Sequence, residues 1–197
     1  MGLHAIDQVI GDLNAANVLV DLETANVTLI DNDSFHITVG QVTHRCCVGK
    51  GEYIAPEIQG INFREAALPT FTKKTDVFSL AILVFELLMN GVHPFNSVTI
   101  DEKSIEENIK NGRSPVIMKE KGGEMIYAPA IDLLPLKLQK LFKLVFVDGA
   151  KNPDKRPTAQ ELYDALDELS NEKNLEKCPL KVTVKSPTTP PKVSNEV

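Results

Sequence analysis

Asp12 and Asn17 stand five positions apart in Gly11-Asp12-Leu13-Asn14-Ala15-Ala16-Asn17, and Asp31 follows two short apolar runs. An aspartate can orient an attacking hydroxyl and accept its proton. Carboxylate and amide oxygens are also the ligands that a hard cation such as magnesium prefers. Alone, an Asp and an Asn at this spacing are more often a solvated turn. Order and context change that weighing. Lys50, Glu57, Asp76 and Arg156 come next, in Val48-Gly49-Lys50-Gly51-Glu52-Tyr53-Ile54-Ala55-Pro56-Glu57, in Asp76-Val77-Phe78-Ser79-Leu80, and in Asn152-Pro153-Asp154-Lys155-Arg156-Pro157.

The elements around these residues must position them. Val18-Leu19-Val20 and Val27-Thr28-Leu29-Ile30 are β-prone and separated by the polar stretch Asp21 to Asn26, a hairpin pattern. Asn17 enters the first strand and Asp31 leaves the second. An antiparallel pair therefore brings both side chains to one end, where they could share a cation.

Phe35 to Tyr53 is polar, glycine-containing and aperiodic, and reads as a long surface loop. Asp76 to Met89 reads as a buried central helix, apolar nearly all round and stopped by Asn90-Gly91. A helix is expected near Ser104 to Lys110, a loop over Gly112 to Gly123, and another helix over Leu136 to Val147. Thr158 with Glu161 forms a capping-box signal before Leu162, Ala165, Leu166 and Leu169, which share one helical face. Residues 1–170 are thus expected to form one domain. Residues 171–197, rich in Lys, Ser, Thr and Pro toward the end, read as a disordered tail or linker.

Composition sets the outer bounds. A chain of 197 residues with 43% hydrophobic content can bury one sizeable core. A net charge of −6 argues against nonspecific nucleic-acid binding, which needs a surplus of Lys and Arg. Three cysteines, two of them adjacent, make no disulfide framework and point to a reducing compartment. Cys178 alone makes no metal site, and His44 with Cys46 and Cys47 reads as exposed loop. Val77 to Phe85 is too short to cross a bilayer, no signal peptide is visible, and Ile6 stands where a myristoylation motif wants Ser or Thr. The expected location is the cytoplasm, with no membrane contact.

Taken in order, these motifs resemble the C-terminal lobe of a protein kinase over roughly Leu3 to Leu169. The resemblance implies a mainly α fold with a small β-hairpin and, as the chain starts just before the catalytic loop, an absent N-lobe. It implies ATP- and Mg2+-dependent phosphoryl transfer to Ser or Thr of a protein substrate. Asp12 matches the catalytic-loop aspartate, Asn17 the asparagine that binds the second magnesium, and Asp31 the aspartate that bridges metal to phosphate. Glu57 and Arg156 would form a buried ion pair, and Asp76 would hydrogen-bond the catalytic-loop backbone.

The departures from the family pattern matter as much. Ile10-Gly11 replaces the His-Arg that usually precedes the aspartate, so a phosphorylated activation loop loses its usual anchor. Asn14 stands at the catalytic position where Ser/Thr kinases carry a phosphate-contacting Lys, and Asn32-Asp33 replaces Phe-Gly. Lys50 occupies the place of a Thr and is the candidate cofactor-binding cation that restores the charge lost at position 14. The strings resemble most closely a divergent prokaryotic kinase group whose members can carry helix-hairpin-helix or zinc-ribbon modules. That group is associated with phosphatase and von Willebrand-type proteins. Two expectations follow: a kinase half, inactive alone, that needs a partner to replace the missing lobe, or a pseudokinase-like protein-binding module.

Overall fold

The structure is a computed structural model that describes residues 2–67, 70–96, 103–119 and 129–170. The expected tail or linker, Cys178, and the end of the expected Gly112 to Gly123 loop lie outside the described residues. A short helix, α1 (Gly2–Ala5), precedes the loop that carries Asp12. Strands β1 (Val18–Val20) and β2 (Val27–Leu29) then pair antiparallel, with Val18 opposite Leu29.

A second antiparallel hairpin follows, β3 (Ile37–Val39) with β4 (Val42–His44), in the stretch expected to be irregular. The described residues therefore hold two small hairpins rather than the one expected. The second is tied back to the Asp12 loop: Val9 and His36 exchange backbone hydrogen bonds at 3.3 and 3.1 Å. Nor is that stretch wholly on the surface, because Cys46 is completely buried while His44 and Cys47 are exposed.

The long central helix α2 (Lys73–Leu88) begins three residues before Asp76. Thr72 caps it and exchanges bonds with Thr75, a reciprocal box that satisfies two otherwise unpaired N–H groups. Helix α3 (Ile105–Lys110) is capped by Ser104. The expected loop after it contains a one-turn helix, α4 (Pro115–Met118), with proline in the first turn, where no N–H is needed. Helix α5 (Leu136–Lys143) passes through a π-helical turn over residues 144–148 into α6 (Gly149–Lys151). The last helix, α7 (Ala159–Ser170), starts where Thr158 and Glu161 bond reciprocally, at 2.7 and 3.2 Å.

The core sits where α2 meets the π turn. Phe146 is ringed by Phe78, Phe85, Phe95 and Phe142, with centroid separations of 5.6 to 5.9 Å. Several of these contacts are edge-to-face, a geometry that adds to area burial. The buried, aromatic side of α2 is thus the platform on which the preceding loops rest.

Candidate functional site

Asp76, in the first turn of α2, is almost wholly buried at 1% exposure. Its Oδ2 accepts from the backbone N–H of Ile10 at 2.8 Å, and its Oδ1 from that of Gly11 at 2.9 Å. Two N–H groups of an irregular loop are thereby satisfied, and the residue before Asp12 is fixed to the long central helix. His4 in α1 reaches the same carboxylate, with Nε2 at 2.8 Å from Oδ2. No sequence signal identified His4, because a lone histidine gives no hint of a partner 72 residues away.

Gly11 has φ +85°, and a Cβ there would lie 2.8 Å from Cβ and Sγ of Cys46. The loop passes this point only because the residue has no side chain. Burial pushes the Cys46 thiol up to about 11, and its Sγ donates to the carbonyl of Val48 at 3.1 Å. Cys46 is a packing residue.

Asp12 is held unevenly. Its Oδ1 accepts from Asn14 Nδ2 at 3.0 Å and from the backbone N–H of Lys50 at 3.2 Å. Its Oδ2 has only a long contact of 3.5 Å from Asn17 Nδ2. One oxygen is therefore anchored and the other remains able to accept a proton.

Asn14 is buried at 4% exposure. Its Oδ1 accepts from Ala16 N at 3.0 Å, capping the turn that leads to Asn17, while Nδ2 serves Asp12. The residue that stands in place of the family's phosphate-contacting Lys has its amide committed to its own loop. The Lys50 ammonium lies 3.6 Å from Glu52 and 5.3 Å from the Tyr53 ring centre.

Asn17 and Asp31 flank the first hairpin. Ile30 N donates to Asn17 O at 3.0 Å, which holds the residue before Asp31 against Asn17. Asn17 Nδ2 donates to the Asp12 carbonyl at 3.0 Å, so Oδ1 is the atom left to ligate a cation. Asp31 has a left-handed backbone, φ 58°. A hydrogen bond from its protonated form to Asp33, and repulsion by Asp33, hold its carboxyl above the usual range; Asp12 adds a smaller push. Among the described residues, no His, Cys, Asp and Glu side chains form a group of three or more able to hold a metal. The donors near this end of the hairpin, an amide oxygen and carboxylates, are of the hard oxygen type that magnesium favours.

The far end of the segment is fastened just as firmly. Glu57 and Arg156 form a two-pronged ion pair, Nη1 to Oε1 at 2.6 Å and Nη2 to Oε2 at 2.7 Å. Arg156 Nη1 also donates to the Lys74 carbonyl at 3.1 Å, and its guanidinium lies 5.0 Å from the Phe78 ring centre. Tyr53 donates to Glu86 at 3.0 Å, and Ser79 donates to the Tyr53 carbonyl at 2.8 Å. Burial raises the Glu86 carboxyl, and Tyr53 is likewise pushed up, first by burial and then by the charge of Glu86.

The family model of the protein kinase domain matches residues 3–165, a span that contains every element of this site. The chain belongs to the protein kinase domain family. Two curated proteins are similar to this kinase domain, each called "Protein kinase YegI", from Escherichia coli strain K12 and from Escherichia coli O157:H7. Each is 29% identical over 187 residues, covering 89% of this chain and 27% of its own length. The chain thus spans about a quarter of the curated relatives it matches. Among the described residues of the kinase domain, no helix is long and apolar enough to cross a membrane.

Proposed function

We propose that this chain carries the catalytic half of an ATP- and magnesium-dependent protein kinase acting on Ser or Thr of a protein substrate. The observation that supports this reading most is the state of Asp12: one carboxylate oxygen is tied to Asn14 and Lys50 and the other left to receive a hydroxyl proton. In this mechanism Asp12 orients the acceptor hydroxyl and takes its proton. Asn14 holds Asp12 in place, and Asp76 holds the loop backbone. Asn17 Oδ1 and the Asp31 carboxylate would hold magnesium, which neutralises phosphate charge when bound. Lys50 would reach phosphate by leaving Glu52, a swing that a half-exposed lysine can make. Glu57 with Arg156 fixes the end of the activation segment.

No glycine-rich phosphate loop occurs in these 197 residues. The elements that cover ATP are therefore to be sought on a preceding segment or on a partner. A surface suited to such a partner surrounds the first hairpin, where Leu22, Val27, Leu19 and Val20 are exposed at 94, 62, 53 and 52%. Without that cover, purified residues 1–197 should transfer phosphate poorly or not at all. The cytoplasm, the divergent prokaryotic kinase group, and partners of the phosphatase and von Willebrand types remain part of this proposal.

The turned-in Asn14, and a Lys50 ammonium set beside Glu52, favour a second reading, a non-catalytic pseudokinase-like module that binds protein. Calorimetric titration with ATP separates the two. Magnesium-dependent binding, lost in Asp31→Asn, supports the kinase reading, while no heat at millimolar ATP supports the binding module. A Lys50→Ala protein with unchanged nucleotide affinity would remove Lys50 from the phosphate site.

A further inference from the structure

We propose that Gln8 is a positioning residue for the stretch between Asp31 and Glu57. Its side-chain amide stands in for a strand residue and fastens the second hairpin to the chain that enters the Asp12 loop. The use of this fastening in catalysis rests on the reading of Asp12 as proton acceptor; its test does not. Val9 and His36 exchange both backbone bonds, as one rung of an antiparallel ladder. Such rungs recur at every second residue, so the next would join Thr38 on β3 to Asp7. Asp7 does not supply it. Its φ of 59° turns the chain out of line, and its N–H donates to the carbonyl of His4 at 3.3 Å. The Gln8 amide fills the gap. Thr38 N donates to Gln8 Oε1 at 2.8 Å, and Gln8 Nε2 donates to the Thr38 carbonyl at 3.0 Å. A carboxamide carries the donor and acceptor of a peptide group, so one side chain reproduces both bonds of the missing rung. Nε2 also donates to the carbonyl of Ile6 at 3.2 Å. Turned over, the amide would set its oxygen against two carbonyls, so its orientation is fixed.

The consequence reaches Asp12. Thr38 lies opposite Thr43, with their hydroxyls 3.0 Å apart, and β4 returns the chain to Cys46. Cys46 N donates to His36 Nδ1 at 3.4 Å, which closes the base of the hairpin against the Val9 rung. Cys46 also packs on Gly11, and a few residues later Lys50 N donates to Asp12 Oδ1 at 3.2 Å. Gln8 and Asp12 thus bracket the short run of chain on which the hairpin base rests. The Gln8 rung is made of neutral groups throughout. Losing it leaves both backbone polar groups of Thr38 to water and frees the hairpin to swing about the Val9 rung, carrying the Lys50 N–H with it.

The test is amide hydrogen exchange on residues 1–197, read at Thr38 and Lys50 and, as core controls, at Phe85 and Phe146. Gln8→Met keeps the length of the side chain and removes its hydrogen bonds. Exchange at Thr38 should speed up by roughly tenfold and at Lys50 by a smaller factor, with the controls unchanged, the signature of local opening. Gln8→Glu keeps the acceptor and, while ionised, lacks the donor. Its Thr38 protection, taken relative to wild type at each pH, should be low near neutrality and recover as the carboxyl takes up a proton and can donate again. A side chain that only filled space would give Met the wild-type pattern and Glu no such pH dependence. Wild-type protection in Gln8→Met, or equal acceleration at the core, would overturn the proposal. Acceleration at Thr38 with Lys50 unmoved would overturn the link to Asp12. If neither variant folds, the wild-type protein decides: Thr38 is exposed and Gln8 is the partner of its N–H, so an unprotected Thr38 amide is fatal to the idea. None of these readouts depends on phosphate transfer or nucleotide binding, so failure of the kinase reading would leave them interpretable.

Discussion

His93 donates from Nε2 to the carbonyl of Glu52 at 2.9 Å, and its Nδ1 accepts from the backbone N–H of Phe95 at 3.2 Å. Both nitrogens have a role only in the neutral ring, and a second proton at Nδ1 would meet an N–H head on. Burial pushes this imidazole down to about 4. An unfolded histidine titrates near 6.5, so the unfolded chain takes up the proton first as pH falls. Stability should therefore fall between about 6.5 and about 4 and level off below, a loss of roughly 3 kcal/mol from this group. The lowered His36 adds in the same direction. Urea midpoints measured across that range should show a flatter pH dependence in His93→Gln than in wild type.

The Glu57–Arg156 pair should behave as a fastening that is costly to break from one side. Arg156 is enclosed at 1% exposure, so Glu57→Ala leaves a buried guanidinium without its counter-ion. A loss of about 3 kcal/mol is expected. Arg156→Lys keeps the charge but not the fork and should also be destabilised. Equilibrium denaturation of the single variants and of Glu57→Ala/Arg156→Met should show the double variant losing less than the sum of the singles.

Gly11→Ala should be among the most disruptive small changes in the chain. The new methyl group would meet Cys46 at 2.8 Å, at a φ of +85° that L-residues rarely adopt. A cost of about 2 kcal/mol is expected from the backbone alone. Adding Cys46→Gly removes the clash and leaves the φ penalty, so thermal denaturation of the pair should recover part of the loss and not all of it.

Asp33→Asn should return the Asp31 carboxyl toward the ordinary aspartate range. Asp33 is the leading cause of the raised value, through a hydrogen bond to the protonated form and then through its charge. Carbon-detected titration of the side-chain carboxyl should show Asp31 protonating at lower pH in the variant. An unmoved midpoint would mean that Asp33 is not the perturbing neighbour.

Much of this site was legible because its parts are short, ordered and locally patterned. The β-prone runs on either side of Asp21 to Asn26 do pair, and Asn17 and Asp31 lie at one end of that pair. Thr158 and Glu161 do cap α7 reciprocally. What escaped was decided across long distances or in very short elements. Ile37-Thr38-Val39 and Val42-Thr43-His44 are three residues each, too few for a period to emerge from a polar stretch. Cys46 packs against Gly11, which is far from it in sequence. Asn14 could be aligned with a phosphate ligand, but only the folded loop shows its amide turned onto Asp12.

Arg45 follows β4 and donates from Nη2 to the carbonyls of Phe63 and Ala66 and to Thr70 Oγ1. Two of those acceptors belong to the main chain. The clip therefore responds to the path of the segment beyond Glu57 and hardly at all to which side chains it carries. A lineage could rewrite the exposed side chains at Arg64 and Glu65 without loosening it. Inserting a single residue between Phe63 and Ala66 would put the two carbonyls out of register with one guanidinium, so this stretch is free in composition and fixed in length.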